Sequence, residues 1–213
     1  MSAPVKRRSY DSSRRQQQAR QNKERVLEVA RSHFERDGYA ATTIPAIADE
    51  AGVSVETVYK SFGNKAGLLK AVHDVTLVGD AEPVPMAERA EVQSVMAEPD
   101  PRRKIELYFS YQPMFATRLM PLSLVIRDAA SNDPTVAAVW RQMVEERLAG
   151  MSMFARHLND GAHLRADVTV EAARDVLWTL TSPELWELLI LQRGWTAEAY
   201  SRFTADTAIA VLL

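Results

Sequence analysis

Apolar residues recur along this chain at the three- and four-residue spacing of helices, and nowhere alternate as a half-buried strand would. Between Gln21 and Asp37, Val26, Leu27, Ala30 and Phe34 share one face, and Gly38 follows where a left-handed exit from a helix is wanted. Ile44, Ile47, Ala48 and Ala51 predict a short second helix after Thr42 and Thr43. Gly52-Val53-Ser54 reads as a tight turn, and Val55, Val58, Tyr59 and Phe62 as a third helix capped by Ser54. Gly63-Asn64 closes that helix, and Lys65 opens a fourth carrying Leu68, Leu69, Val72 and Val75.

A stretch marked by Pro83, Pro85, Pro99 and Pro101 separates these elements from the rest, with room for a short helix around residues 86–98. Beyond it the pattern predicts helices near 102–119, with Pro113 kinking the chain, and 121–130. Asn132 or Asp133 followed by Pro134 is a cap and a first-turn proline, opening a helix that runs to Gly161, about 39 Å at 1.5 Å per residue. Its apolar stripe is Val136, Trp140, Met143, Leu148, Met151, Phe154 and Leu158. Thr169, Ser182 and Thr196 mark three further helix starts. The expected fold is all-α: a basic, flexible arm over residues 1–20, a three-helix unit with a helix-turn-helix over 21–75, and a helical bundle over 76–213.

Charge sharpens the division. Residues 1–72 hold 13 Lys and Arg against 8 Asp and Glu, whereas residues 73–213 hold 13 against 20. A basic end on an otherwise acidic chain suits a polyanion such as DNA, although a solubilising tail has the same composition. With no cysteine in the sequence, thiolate zinc sites, iron-sulfur clusters and disulfide scaffolds are excluded. No apolar run reaches the ~20 residues that cross a bilayer, so a soluble, cytoplasmic protein without membrane partners is expected.

The turn carries the most specific signal. Where two helices cross closely a small residue must face the partner helix, and Ala48 stands there; Gly52 supplies the positive φ of the turn; Val58 plugs the space between the helices. That geometry projects the outer face of the third helix, with Glu56, Thr57, Lys60 and Ser61, away from the core.

The run Thr42-Thr43-Ile44, Ile47-Ala48, Ala51-Gly52-Val53-Ser54, Thr57-Val58-Tyr59, Phe62, Lys65 and Leu68-Leu69 closely resembles the DNA-binding domain of the TetR family of bacterial transcriptional regulators. A looser resemblance, in Asp175-Val176-Leu177-Trp178, Ser182-Pro183-Glu184 and Gly194-Trp195, is to the C-terminal ligand-binding and dimerisation part of such proteins. The resemblance implies a homodimeric regulator, a repressor whose grip on a palindromic operator is released by a small-molecule effector. An activator or ligand-independent DNA binder of the same fold is one alternative, and a helical interaction protein with a basic arm is another. It further implies that Val55, Glu56, Thr57 and Lys60 lie at the major groove, that Thr43, Tyr59 and Lys65 meet phosphates, and that Ser54 belongs to the same DNA-binding set. Thr43 is equally a plain helix cap, and the Tyr59 ring equally a filler beside Phe62.

Enzymatic readings lack their parts. The glycines form no phosphate-cradling loop, the histidines no metal-ligand pair, and no nucleophile elbow occurs, so no catalytic residue, metal or cofactor is called for. A largely apolar pocket for an apolar or weakly acidic effector is expected to be bordered by Phe115, Trp140, Met143 and Arg147. Arg147 falls between Met143 and Met151 on the apolar side of the long helix, where it can pair with an internal carboxylate, reach the edge, or meet an acidic ligand group. The dimer surface is expected within residues 170–213, rich in Trp178, Leu185, Leu188, Leu189, Ile190, Leu191, Ile209, Val211, Leu212 and Leu213.

Overall fold

A computed structural model describes residues 10–79 and 86–213, with the side chains of residues 10–13, 78, 115 and 116 left aside. Among the described residues every regular element is helical. Two compact units arise, Met1–Val72 and His73–Leu213, the division falling inside a helix a turn earlier than the expected break after residue 75.

The first unit holds α1 (Tyr10–Ala41), α2 (Ile44–Ala51), α3 (Val55–Phe62) and the start of α4 (Lys65–Val78). The expected arm over 1–20 divides: residues 10–20 extend α1 upstream of Gln21, and residues 1–9 lie outside the described residues. The extension has local support, since Arg20 pairs with Glu24 at 2.8 Å and Gln18 donates to Asn22 at 3.0 Å, each four residues apart on one face. Gly38, at φ 72°, interrupts α1. Val26, Leu27, Ala30 and Phe34 of α1, Ile44, Ile47, Ala48 and Ala51 of α2, Val58 of α3 and Leu68, Leu69 and Val72 of α4 are all buried. The stripes read on the first two helices are thus core, whereas of the apolar residues read on the third only Val58 is buried, with Val55 and Tyr59 exposed and Phe62 half-buried.

The second unit continues α4 and adds α5 (Ala90–Ala97), α6 (Pro101–Ser110), α7 (Gln112–Ala130), α8 (Pro134–Asp160), α9 (Val170–Leu180), α10 (Pro183–Trp186) and α11 (Ala197–Leu212). Residues Glu187–Gln192 prolong α10 as a π-helix. α8 packs between α7 and α9, and α11 lies against α6, α7 and α9. Asp133, Thr169, Ser182 and Thr196 cap their helices as their sequence positions predict, each side chain accepting a backbone N–H of the first turn.

One boundary differs from expectation. The chain breaks at Tyr111 rather than near residue 120, and α7 runs through Pro121. Pro113 has no N–H for the Phe109 carbonyl, and that carbonyl instead accepts the Ser201 hydroxyl from α11 at 2.7 Å. At Pro121 the carbonyl left over belongs to exposed Thr117, where solvent can satisfy it. Of the residues expected at a dimer surface, Ile209 and Leu212 are buried in their own core, whereas Leu188, Leu191 and Val211 are exposed; Trp195 and Phe203 are exposed too, their rings meeting edge to face at 5.4 Å.

A buried cation sits in this unit. Lys104 of α6 is only 2% exposed, and its ammonium donates to the Met96 carbonyl at 3.0 Å and to His157 Nε2 of α8 at 2.7 Å. Burial lowers its pKa from the usual lysine value, with the Glu98 carboxylate opposing the shift from a distance.

Candidate functional site

The helix-turn-helix is built by a short series of local bonds. Thr43 caps α2 by accepting the Ala46 N–H at 3.3 Å. At the other end Gly52 adopts φ 68°, ψ 35°, and Gly52 N–H and Val53 N–H return to the Asp49 and Ala48 carbonyls at 3.1 and 2.9 Å. A Cβ-bearing residue reaches that left-handed conformation only with strain, which is why glycine stands at the turn. Ser54 then starts α3 by accepting Thr57 N–H at 3.1 Å, and its hydroxyl also pairs with that of Thr57 at 2.8 Å.

Since α3 buries Val58, the residues on its other sides face out. Ser54, Glu56, Lys60 and Ser61 are exposed, Thr57 is half-buried, and Val55 and Tyr59 are exposed despite their apolar surface. At about 100° per residue Glu56 and Lys60 stand one turn apart on the outward face, flanked by Val55 and Tyr59 on one side and Thr57 on the other. A short helix with an exposed face mixing a carboxylate, an ammonium, hydroxyls and apolar surface has the chemistry needed to read base edges. Thr43 is exposed too, with its hydroxyl proton available to a further acceptor.

Lys65 has a different place from the one expected. Its ammonium donates to the carbonyls of Tyr39 and Thr42 at 2.7 and 3.0 Å and lies 4.1 Å from the centre of the Tyr39 ring. It therefore fastens the α1–α2 connection, a task no pattern in the sequence announces. Asn64 prepares this corner by accepting Gly67 N–H at 2.8 Å. Gly67 itself is placed so that a Cβ would fall 2.2 Å from the Phe62 carbonyl oxygen, so α3 and α4 join at a spacing that excludes any side chain there.

In the helical unit Trp140 and Arg147 line one cleft of about 420 Å³, together with Val144, Trp178, Thr179, Ser182 and Glu184. Met143 is buried and does not line it, and the Phe115 side chain lies outside the described residues. Arg147 uses Nη1 to donate to the Trp178 carbonyl and, at 3.2 Å, to Thr181 Oγ1, with its guanidinium carbon 4.5 Å from the centre of the Trp178 ring. Burial lowers its pKa, while Glu184, Tyr108 and Tyr200 favour the charged form. Sequence spacing could not reveal this pairing, because Trp178 lies on another helix.

Among the described residues no cluster of three or more His, Asp or Glu could hold a metal ion, and no helix is long and apolar enough to cross a membrane. Residues 26–72 match the family of bacterial regulatory proteins named for tetR. Over 53 residues the chain is 40% identical to the uncharacterized HTH-type transcriptional regulator YvkB of Bacillus subtilis (strain 168), covering 25% of this chain and 28% of that relative. The alignment thus spans under a third of the curated relative's length. A proposed TetR-family transcriptional regulator from Rhodococcus sp. shares the fold at a TM-score of 0.71 and 13% identity, over 91% of this chain and 99% of that one. The regulator FadR of Bacillus subtilis, solved with stearoyl-CoA, does so at 0.65 and 16%, over 87% and 96%. Residues 26–72, which form the helix-turn-helix, thus resemble the family of bacterial regulatory proteins named for tetR, and the helices of the chain follow the fold of solved regulators of that name.

Proposed function

We propose that the protein is a homodimeric transcriptional repressor that grips a palindromic operator and releases it when a small effector binds the helical unit. The observation that carries this reading is the outward face of α3, where Val55, Glu56, Thr57, Tyr59 and Lys60 surround a helix held in place by the Gly52 turn and the Ser54 cap. In this reading Val55, Glu56, Thr57 and Lys60 approach bases, Thr43 and Tyr59 bond phosphates, and Ser54 starts the helix that presents them. Lys65 supports them from behind by holding the α1–α2 connection.

One such helix makes too few base contacts for useful specificity, and two-fold symmetry doubles them at a spacing of about 34 Å or a multiple. The exposed Leu188, Leu191, Trp195, Phe203 and Val211, all within 170–213, support a dimer face there. The stearoyl-CoA bound by FadR, a protein of the same fold, supports a small-molecule effector. The deciding experiment is selection from random double-stranded DNA with the intact protein at two salt concentrations. An inverted repeat bound more weakly as salt rises is expected, because phosphate contacts release counterions. Retention of no motif, or binding insensitive to salt, overturns the proposal.

A further inference from the structure

The cleft of the helical unit poses a question of charge. Arg147 is half-buried, its pKa is lowered by desolvation, and among the described residues no carboxylate forms an ion pair with it. Its neighbours do not supply the missing charge at contact range. Tyr108 and Tyr200 are phenols that burial holds protonated, and Glu184 is exposed at the first turn of α10. A desolvated cation whose hydrogen-bond partners are neutral, and which Glu184 favours without forming an ion pair, is costly to keep, and such groups concentrate where a ligand brings the opposite charge.

The geometry also fixes the orientation of the cation. Nη1 is held by the Trp178 carbonyl and Thr181 Oγ1, and the guanidinium plane is backed by the Trp178 ring. The other guanidinium nitrogens, Nε and Nη2, have no acceptor among the described residues and are not sealed off. Trp178 Nε1, on the ring that backs the guanidinium, is buried without a hydrogen-bond partner. A fork clamped on one side and open on the other is preorganised for a planar anion, because both lone-pair-rich oxygens of a carboxylate can accept from it at once.

From this we infer that the cleft binds an organic carboxylate: the acid group sits on Arg147 Nε and Nη2, and an apolar body lies along Trp140 and Val144. The inference rests on the reading of this unit as effector-binding, and names the effector's chemical class. A cleft of about 420 Å³ has room for an aromatic or short acyl body. The two indoles and Glu184 also suit a cationic ligand, but the guanidinium already covers one face of Trp178 and would repel it.

The test is calorimetric titration of the intact protein, without DNA, with three probes on one ring system: 2-naphthoate, its planar neutral isostere 2-naphthamide, and the cation 2-naphthyltrimethylammonium. The carboxylate is expected to bind roughly 10- to 100-fold more tightly than the amide, the range of a charge-assisted hydrogen-bonded pair. In Arg147→Gln that preference should vanish while amide binding persists, and Arg147→Lys should retain part of it. Trp140→Ala should weaken carboxylate and amide alike. Thermal unfolding of each variant reports whether it is folded, and the preference in the unaltered protein stands apart from any variant. The inference is overturned if the amide or the cation binds as well as the carboxylate, if Arg147→Gln keeps the preference, or if the carboxylate shows no binding at millimolar concentration. Because DNA is absent from these titrations, such a failure is separate from failure of the operator reading, which the selection experiment decides.

Discussion

Replacing a helical glycine by alanine normally stabilises a helix, and in this chain the same change at two positions should have opposite signs. At Gly150, inside α8, an added Cβ meets no heavy atom within 4 Å. The substitution there gains helix propensity and reduces the freedom of the unfolded chain, for about 0.5–1 kcal/mol of stabilisation. At Gly67, inside α4, the same Cβ falls 2.2 Å from the Phe62 carbonyl oxygen. Contacts of carbon with oxygen need roughly 3.2 Å, so that backbone oxygen must retreat by about 1 Å, and it belongs to the last residue of α3. Overpacking of this kind costs about 1–3 kcal/mol, and set against a propensity gain of about 1 kcal/mol the net is a loss of up to about 2 kcal/mol. Circular dichroism during thermal unfolding measures both, with shifts of roughly 2–4 °C per kcal/mol for a chain of this length. Gly67→Ala should also weaken DNA binding, because the displaced carbonyl ends the helix proposed to read the operator. A Gly67→Ala protein stabilised as much as Gly150→Ala would refute the close-approach argument.

Three further outcomes are expected. Lys65→Ala should destabilise the first unit by about 1–2 kcal/mol, since two carbonyls lose a charged donor; lost DNA affinity with unchanged unfolding would assign Lys65 to phosphate instead. Alkaline titration followed by ultraviolet absorbance should show Tyr108 and Tyr200 resisting ionisation: burial raises Tyr108 from 10 to about 12 and raises Tyr200 as well. The folded chain then keeps protons that the unfolded chain gives up, so stability should fall as pH climbs from about 10 through about 12, and a flat profile there contradicts that burial. Leu191→Glu, at a residue 58% exposed in the protomer, should leave the fold intact and shift light scattering toward a 23.8 kDa monomer; an unaltered dimer places the interface elsewhere.

What the sequence made readable was whatever is decided within a few residues. Thr43, Ser54, Thr169, Ser182 and Thr196 cap helices through bonds to residues three positions on, and Gly52 turns the chain by its own backbone conformation. The exposed face of α3 follows from the burial of Val58 in the same way. Features set by distant partners were hidden. Arg147 is oriented by Trp178 and Thr181 from another helix, and Lys65 by carbonyls at Tyr39 and Thr42. The break near Pro113 depends on Ser201, which offers the Phe109 carbonyl another donor. Met143 shows the limit from the other side: it stands one turn before Arg147 and only about 40° from it in phase, yet Met143 is buried while Arg147 lines the cleft.

Lys104 bears on how the bundle selects its own packing. Its ammonium is accommodated only because the Met96 carbonyl and His157 Nε2 converge on one point from the end of α5 and from α8. Apolar stripes alone tolerate sliding: moving α6 against α8 by one helical turn, about 5.4 Å, would still match greasy side chains with greasy side chains. The slipped arrangement would strand an ammonium among methyl groups, at a cost of several kcal/mol. The buried charge thus works as a checksum on alignment, accepting one register of these helices and penalising its neighbours, and it does so whether or not it adds anything to the stability of the register it accepts.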